Sequence, residues 1–288
     1  MIGIGLALSK QLCKEHGAHV YLGARNAERG QAAVAAVKEH DAGGNGSVEM
    51  LLLDVSSDES VQAAAEQLKA RDARLTAIVN NAGTARALGH AETTDDSQVM
   101  NVNFMGTKRV VEAFTDLLDP QGAKIVNIGS GAGPTYVSSQ PIERQKKLCN
   151  PDITLEEIMQ DVNRGVPPDE PTHGDTNVYH YGFSKALLSA YTMYLAKTLA
   201  SRNILVFCLT PGFIRTQLTS VWNGGKKPEE GTAAIRHCLF EANDPEQSGW
   251  FFGSDCKRSP LHYLRNPGEP AFDGVIDWDK VFSQASMA

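Results

Sequence analysis

Apolar residues recur along this chain in two alternating spacings. Leu6, Ala7, Leu8 and Leu12 share a helical face and Gly17 suits a helical stop, so a helix is predicted over 6–15. Residues 20–23 read as a strand, and Asn26 is placed to cap an alanine-rich helix over 27–40. The turn-rich stretch 41–46 leads to residues 48–55, where the unbroken apolar run 50–53 suits a strand covered on both faces. Ser56 to Glu59 offers a capping box for a helix carrying Val61, Ala64, Ala65 and Leu68. The pattern then predicts strands at 75–79, 124–128, 204–209 and 250–252, and helices at 99–118, 181–199 and 232–241. Repeated βα units with short connections imply an α/β fold built on a doubly wound parallel sheet. No repeat and no domain boundary interrupts residues 1–288, so a single domain is expected.

Two stretches depart from the alternation. Residues 134–178 are polar, proline-rich and too long for an ordinary loop, and read as an insertion. Inside them, Thr154 and Glu157 form a capping box, Leu155, Ile158, Met159 and Val162 share one face, and Gly165 with Pro167 and Pro168 ends the helix. We expect that apolar face to pack on its own chain, beside the helix near residue 181, and to keep the protein a monomer. The tail from about residue 255 shows little periodicity and is expected to be irregular.

Composition narrows the function classes. The 288 residues are 42% hydrophobic and 21% charged, an ordinary globular balance. A net charge of -7 argues against a nucleic-acid partner. No apolar run is long enough to span a membrane, and no signal-peptide pattern opens the chain. Five scattered cysteines without metal-ligand spacing fit reduced thiols and a cytoplasmic location.

Candidate chemistry lies at strand ends, where open α/β sheets bind ligands. Gly3-Ile4-Gly5 precedes the first helix as the end of a dinucleotide-binding turn does, though such pairs also arise by chance. Asn80-Asn81-Ala82-Gly83 ends a strand, and suits either a ligand or a plain tight turn. Tyr181 and Lys185 stand four apart on one helical face. An ammonium there lowers a tyrosine pKa and makes it a general acid near neutral pH; a surface tyrosine over a lysine stem has the same spacing. Ser130, also after a strand, could polarise a carbonyl or be a loop serine. The strand over 20–23 runs into Ala24 and Arg25, where an NAD enzyme carries a carboxylate; a guanidinium suits the 2′-phosphate of NADPH.

The order of these motifs is more specific than any one of them. From Met1 to about Gly253 the chain runs through Gly3-Ile4-Gly5, Arg25, Asp54, the NNAG turn, Asn103 in "VNFMGT", Ser130 in "VNIGSGAG", "YGFSK", and Pro211-Gly212 in "TPGFIRT". This series resembles the short-chain dehydrogenase/reductase family, with its Rossmann-like α/β fold. The insertion before Tyr181, with "NVNFMGTKRVVEAF", "PGFIRTQL" and "KKPEEGTAAI", resembles its monomeric carbonyl reductase branch. The resemblance implies NADPH-dependent reduction of an aldehyde, ketone or quinone. Tyr181 would protonate the carbonyl oxygen, and Lys185 would lower the tyrosine pKa and hold the nicotinamide ribose. Ser130 would bind the substrate oxygen, and Asn103 would steady a water joining Lys185 to solvent. Asp54 and Val55 would border the adenine, while Gly3, Ile4, Gly5, Asn81, Ala82 and Gly83 would line the cofactor cleft. Pro211, Gly212 and Thr216 would flank the nicotinamide, and Phe213 would sit at the substrate mouth.

The family's TGxxxGxG turn lacks here its threonine, its first glycine and the strand before them. Loss of four or five buried side chains from a central strand would cost roughly 6–15 kcal/mol, comparable with a domain's net stability. We therefore expect an incomplete form, a gap between residues 20–23 and 75–79, weak NADPH binding and easy unfolding. Two rival readings follow: a catalytically impaired relative with a binding or regulatory role, and an enzyme with a dedicated steroid or retinoid substrate.

Overall fold

The structure is a computed structural model that describes residues 3–85, 96–166, 176–219 and 224–285. Helix α1 (Ile4–His16) starts beside Gly3 and closes at Gly17, whose φ of 60° lies in the left-handed region that glycine enters without strain. Strand β1 (His19–Ala24) leads to α2 (Ala27–His40), where the Asn26 side chain accepts the Arg29 N–H at 2.9 Å. Strand β2 (Ser47–Leu52) stops short of the predicted end at residue 55, because residues from Asp54 onward turn towards α3 (Asp58–Lys69). The cap of α3 is Ser57, whose hydroxyl accepts the Ser60 N–H at 3.2 Å; Ser56, expected in that role, binds Asp54 instead.

The predicted strand over 75–79 is realised as β3 (Ala77–Asn80). The predicted helix over 99–118 is segmented into α4 (Asp96–Met100), a π-turn at Asn101–Met105, α5 (Gly106–Phe114) and a 3₁₀ turn at Thr115–Leu117. The π-turn carries Asn103, and such widened turns favour functional positions because they re-aim one side chain. Strand β4 (Ala123–Ile128) follows.

The insertion is largely helical: α6 (Ala132–Ser138), α7 (Ile142–Leu148) and α8 (Leu155–Arg164) precede α9 (Thr176–Thr198). The Thr154–Glu157 capping box forms as expected. Ile158 is fully buried, and Leu155, Met159 and Val162 pack against the same core as α9. Asp161, also buried, receives Lys147 at 2.9 Å and Arg144 at 3.7 Å, which ties α8 to α7.

Strand β5 (Ile204–Leu209) is followed by α10 (Ala233–Arg236), which runs into a π-turn at His237–Glu241, and then by β6 (Phe251–Phe252). The tail is more ordered than its weak periodicity implied. It forms β7 (Arg258–Ser259), antiparallel to β6, and α11 (Trp278–Ala285). Contacts at long sequence separation fix it: Leu261 and Trp278 pack on the main core, and the Arg258 guanidinium lies 4.2 Å from the Trp250 ring centroid.

The strands form two parallel sets in the α/β manner. One is β1–β2; the other runs β3–β4–β5–β6, with β7 as an antiparallel edge. As expected, α1 begins at Ile4 and β1 and β3 are not joined. Between them lies a cavity of about 930 Å³, walled by both strands, by Leu8 and Leu12 of α1, and by Val110 and Phe114 of α5.

Candidate active site

Within each set the strands except β7 run parallel, and contacts of Asn101 Nδ2 with the Ser56 carbonyl at 3.3 Å and of Gly106 with Val55 bring the segments after β1 and β2 to the edge that follows β3, β4 and β5. That edge collects Arg25, Asp54, Asn81, Ser130 and Pro211, each from a different strand end. Arg25 is exposed and close enough to Asp54 to help hold its carboxyl below the usual range; the larger cause is the hydrogen bond from the Ser56 hydroxyl at 2.6 Å. Gly3, Gly5, Val55, Asn81 and Ala82 all line one cavity. Among the described residues no side chain caps the first turn of α1, so its N–H groups can face an anion. A Cβ on Gly5 would stand 2.7 Å from the Asn81 side-chain nitrogen, so the bare Gly5 is where the Asn81 amide packs against α1.

Ser130 and Tyr181 come together across a tight helix crossing. A Cβ on Gly182 would meet the Ala132 carbonyl oxygen at 2.7 Å, and one on Gly133 would meet the Lys185 backbone at 3.2 Å. Two glycines thus bring α6 and α9 backbone to backbone, and the Ser130 hydroxyl lies close enough to the Tyr181 phenol to act on its titration. Burial raises the phenol pKa, and Ser130 opposes that rise without cancelling it. Lys185, whose Nζ lies 5.7 Å from the Tyr181 ring centroid, is not among the causes of this shift, which desolvation dominates. Tyr181 is therefore a protonated donor at neutral pH.

Lys185 is 4% exposed, and burial brings its ammonium down to about 8. Its Nζ donates to the Ile128 carbonyl at 2.7 Å. The Cys208 thiol nearby is itself pushed up by burial and supplies no compensating charge at neutral pH.

Asn103 is fully buried, and its amide acts as a clamp. Nδ2 donates to the Thr84 carbonyl at 2.9 Å and to the Ser184 hydroxyl at 3.0 Å, while Oδ1 accepts the Thr84 N–H at 2.8 Å. One side chain thereby ties the loop after β3 to α9, next to Lys185. A Cβ on Gly83 would sit 3.5 Å from Asn103 Oδ1 and 3.7 Å from Lys185 Nζ, so Gly83 lies against both. Sequence reasoning missed the partners Thr84, Ser184 and the Ile128 carbonyl. Ser184 lies inside the motif already singled out; a backbone carbonyl leaves no residue-type signal.

On the far side, Gly212 turns with a φ of 86° and Phe213, 47% exposed, projects from that turn. Thr216 is half-buried, with its N–H on the Thr219 hydroxyl at 2.9 Å. Among the described residues no cluster suits a metal ion, all five cysteines are free, and no helix is long and apolar enough to cross a membrane.

A short chain dehydrogenase model matches residues 1–142, and an enoyl-(acyl carrier protein) reductase model matches 172–250. The chain is 31% identical to carbonyl reductase (NADPH) 1 of Sus scrofa over 273 residues, spanning 88% of this chain and 89% of that protein. It is 29% identical to the Mus musculus protein of the same name over 276 residues, 90% of this chain and 94% of the other. Among solved structures, salutaridine reductase from Papaver somniferum superposes with a TM-score of 0.69 at 26% identity, over 86% of this chain and 95% of that one. The NADPH-bound carbonyl reductase from chicken fatty liver superposes with a TM-score of 0.63 at 21% identity, over 90% and 94%.

Proposed function

The chain belongs to the short-chain dehydrogenase family, and on that premise we propose that it reduces aldehyde, ketone or quinone carbonyls to alcohols with NADPH. The observation that carries the reading is the meeting of Ser130, Tyr181 and Lys185 at one edge of the fold, with Ser130 close enough to act on the Tyr181 phenol and the Lys185 Nζ 5.7 Å from its ring centroid.

The residues present fit that cofactor. The uncapped first turn of α1 offers N–H groups to a pyrophosphate, and the bare Gly5 lets that turn approach Asn81. The exposed Arg25 guanidinium at the end of β1 suits a 2′-phosphate, and no carboxylate stands at Ala24 to favour a free 2′-hydroxyl. When bound, the nicotinamide supplies the hydride that adds to the carbonyl carbon.

The chain's own residues handle the oxygen and the proton. The Ser130 hydroxyl binds the substrate oxygen and orients it towards Tyr181. As negative charge develops on that oxygen, the Tyr181 phenol donates its proton, and the product leaves as an alcohol. The raised phenol pKa keeps the donor loaded, while Lys185 stabilises the phenolate left behind. Asn103 holds the Gly83–Thr84 loop against the Lys185 helix and, through a water, connects Lys185 to solvent for reprotonation of Tyr181. Pro211, Gly212 and Thr216 flank the nicotinamide, and Phe213 borders the substrate mouth. The buried face of α8 supports reading the protein as a monomer, and the free cysteines support a cytoplasmic location.

The test is NADPH oxidation with a quinone or aryl ketone. Tyr181→Phe keeps the ring but removes the proton, so turnover should fall by ~100-fold or more while NADPH binding persists. Near-normal turnover in that variant would move the acid elsewhere, Tyr179 being the next candidate.

A further inference from the structure

The C-terminal segment after β7 reaches back to the edge that carries Ser130. A Cβ built on Gly131, the residue following Ser130, would meet one neighbour within contact range: the Leu264 side-chain tip, at 2.9 Å. Leu264 is 48% exposed, so about half of this apolar side chain is open beside Gly131.

The segment holding Leu264 is anchored and does not fray. The Arg265 side chain is 2% exposed and ion-paired with Asp255; it also donates to the Ser259 hydroxyl at 3.0 Å and to the Glu269 carbonyl at 2.7 Å. Asp255 accepts in addition the Gly268 N–H at 3.1 Å. His262 is buried among the rings of Tyr263, Phe272 and Trp278. With both flanks fixed, the Leu264 backbone has little freedom, and its side chain stands as a rigid wall.

The same framework supports the opposite side of the site. A Cβ on Gly212 would lie 3.1 Å from Ser254, the residue before Asp255. Contacts therefore run from Ser130–Gly131 through Leu264–Arg265 and Asp255–Ser254 to Gly212–Phe213. Leu264 and Phe213 are both large, apolar and about half exposed, and they hang from the two ends of this run. Burial of an apolar substituent between such walls would offset the exposure each side chain now carries.

We propose that Leu264 is a specificity-determining residue, an apolar wall beside Ser130 that limits the size of the substituent on the carbonyl carbon. The inference rests on the carbonyl reductase reading above. The favoured ligands are flat, apolar ketones whose one large arm lies between Leu264 and Phe213, with the carbonyl oxygen left on Ser130.

The experiment compares Leu264→Ala and Leu264→Phe with the wild type on an acetone-sized and a benzophenone-sized ketone. Leu264→Ala should raise kcat/KM for the large ketone relative to the small one by roughly tenfold, the scale at which a few methylenes discriminate. Leu264→Phe should move the ratio the other way, with NADPH affinity and melting temperature unchanged in both. Turnover with an unchanged ratio would overturn the proposal. A third variant, Leu264→Cys, reads occupancy without turnover, since the natural cysteines are buried apart from the partly buried Cys256. The large ketone with NADP should slow maleimide alkylation of that thiol at least severalfold over the wild-type background. Protection without turnover in any protein would refute the carbonyl reductase reading and leave the wall standing. Alkylation unaffected by the ketone would remove the wall.

Discussion

Replacing Lys185 with methionine tests the electrostatics of the site through stability alone. The ammonium is 4% exposed, and burial lowers its pKa from 10.5 to about 8. In the unfolded chain the same lysine keeps its proton until about pH 10.4. Between those values the unfolded state binds more protons than the folded state, so the free energy of unfolding rises with pH. The penalty for burying the charge is complete below about pH 8 and is relieved by about pH 10.5. At about 1.4 kcal/mol per unit, a drop of roughly 2.5 units corresponds to ~3 kcal/mol. Lys185→Met has no group to titrate there and lacks this rise. At neutral pH the variant escapes the penalty but strips the Ile128 carbonyl of a charged donor at 2.7 Å, worth ~1.5–3 kcal/mol. These nearly offset, so the two proteins should be similarly stable near pH 7, and the slope carries the test. Urea unfolding of both at several values between about pH 7 and pH 10.5 should show the wild type gaining on the variant by ~3 kcal/mol. Parallel curves would mean that Lys185 is solvated and its pKa ordinary, and the protonation states assigned to the site would be wrong.

Arg25→Ala should erode the preference for NADPH over NADH, measured as the ratio of kcat/KM values; equal use of both by the wild type would remove the assigned role of Arg25. Hydrogen exchange should find the amides of β1 and β3 less protected than those of β4 and β5, since each of the first two lacks a strand along one edge. Equal protection would mean that the gap between β1 and β3 closes in solution. Ile158→Ala, at a fully buried position of α8, should cost ~2–5 kcal/mol in denaturant unfolding. Sedimentation at micromolar concentration should give a monomer, and a dimer would mean that α8 leaves the α9 surface free for pairing.

The fold was legible where local signals and periodicity agree. The range of α2 follows from Asn26 and the alanine-rich run, β5 from its six consecutive apolar residues, and α8 from a capping box with four apolar residues on one face. Legibility failed where tertiary contacts decide. Residues 48–55 read as one strand, yet β2 ends at Leu52, and the Asp54 carboxylate takes the N–H and hydroxyl of Ser56 in the turn that follows. Residues 99–118 have an unbroken helical pattern, and nothing in it reveals the π-turn that aims Asn103. The tail lacks periodicity because its order comes from single anchors, Arg265 on Asp255 and Arg258 on Trp250, that no window of sequence displays.

For the site, the sequence named the residue types but does not display the burial that sets the balance of forces among them. A lysine four residues from a tyrosine argues for an acidic phenol only if the charge outweighs desolvation. Here two glycines press α6 against α9, and this close approach buries the phenol and the ammonium together. Burial favours the neutral form of each, so Tyr181 holds its proton more tightly and Lys185 less tightly than in water. The effect serves reduction: the acid arrives protonated, and a lysine with a pKa of about 8 can change charge near neutral pH as the phenolate forms beside it. Motif spacing placed the two groups on one helix face; Gly133 and Gly182, which carry no chemistry, set how dry that face is. A substitution at either glycine that pushed the helices apart would let water in, return both groups towards their ordinary pKa values and lengthen the reach from Ser130 to Tyr181.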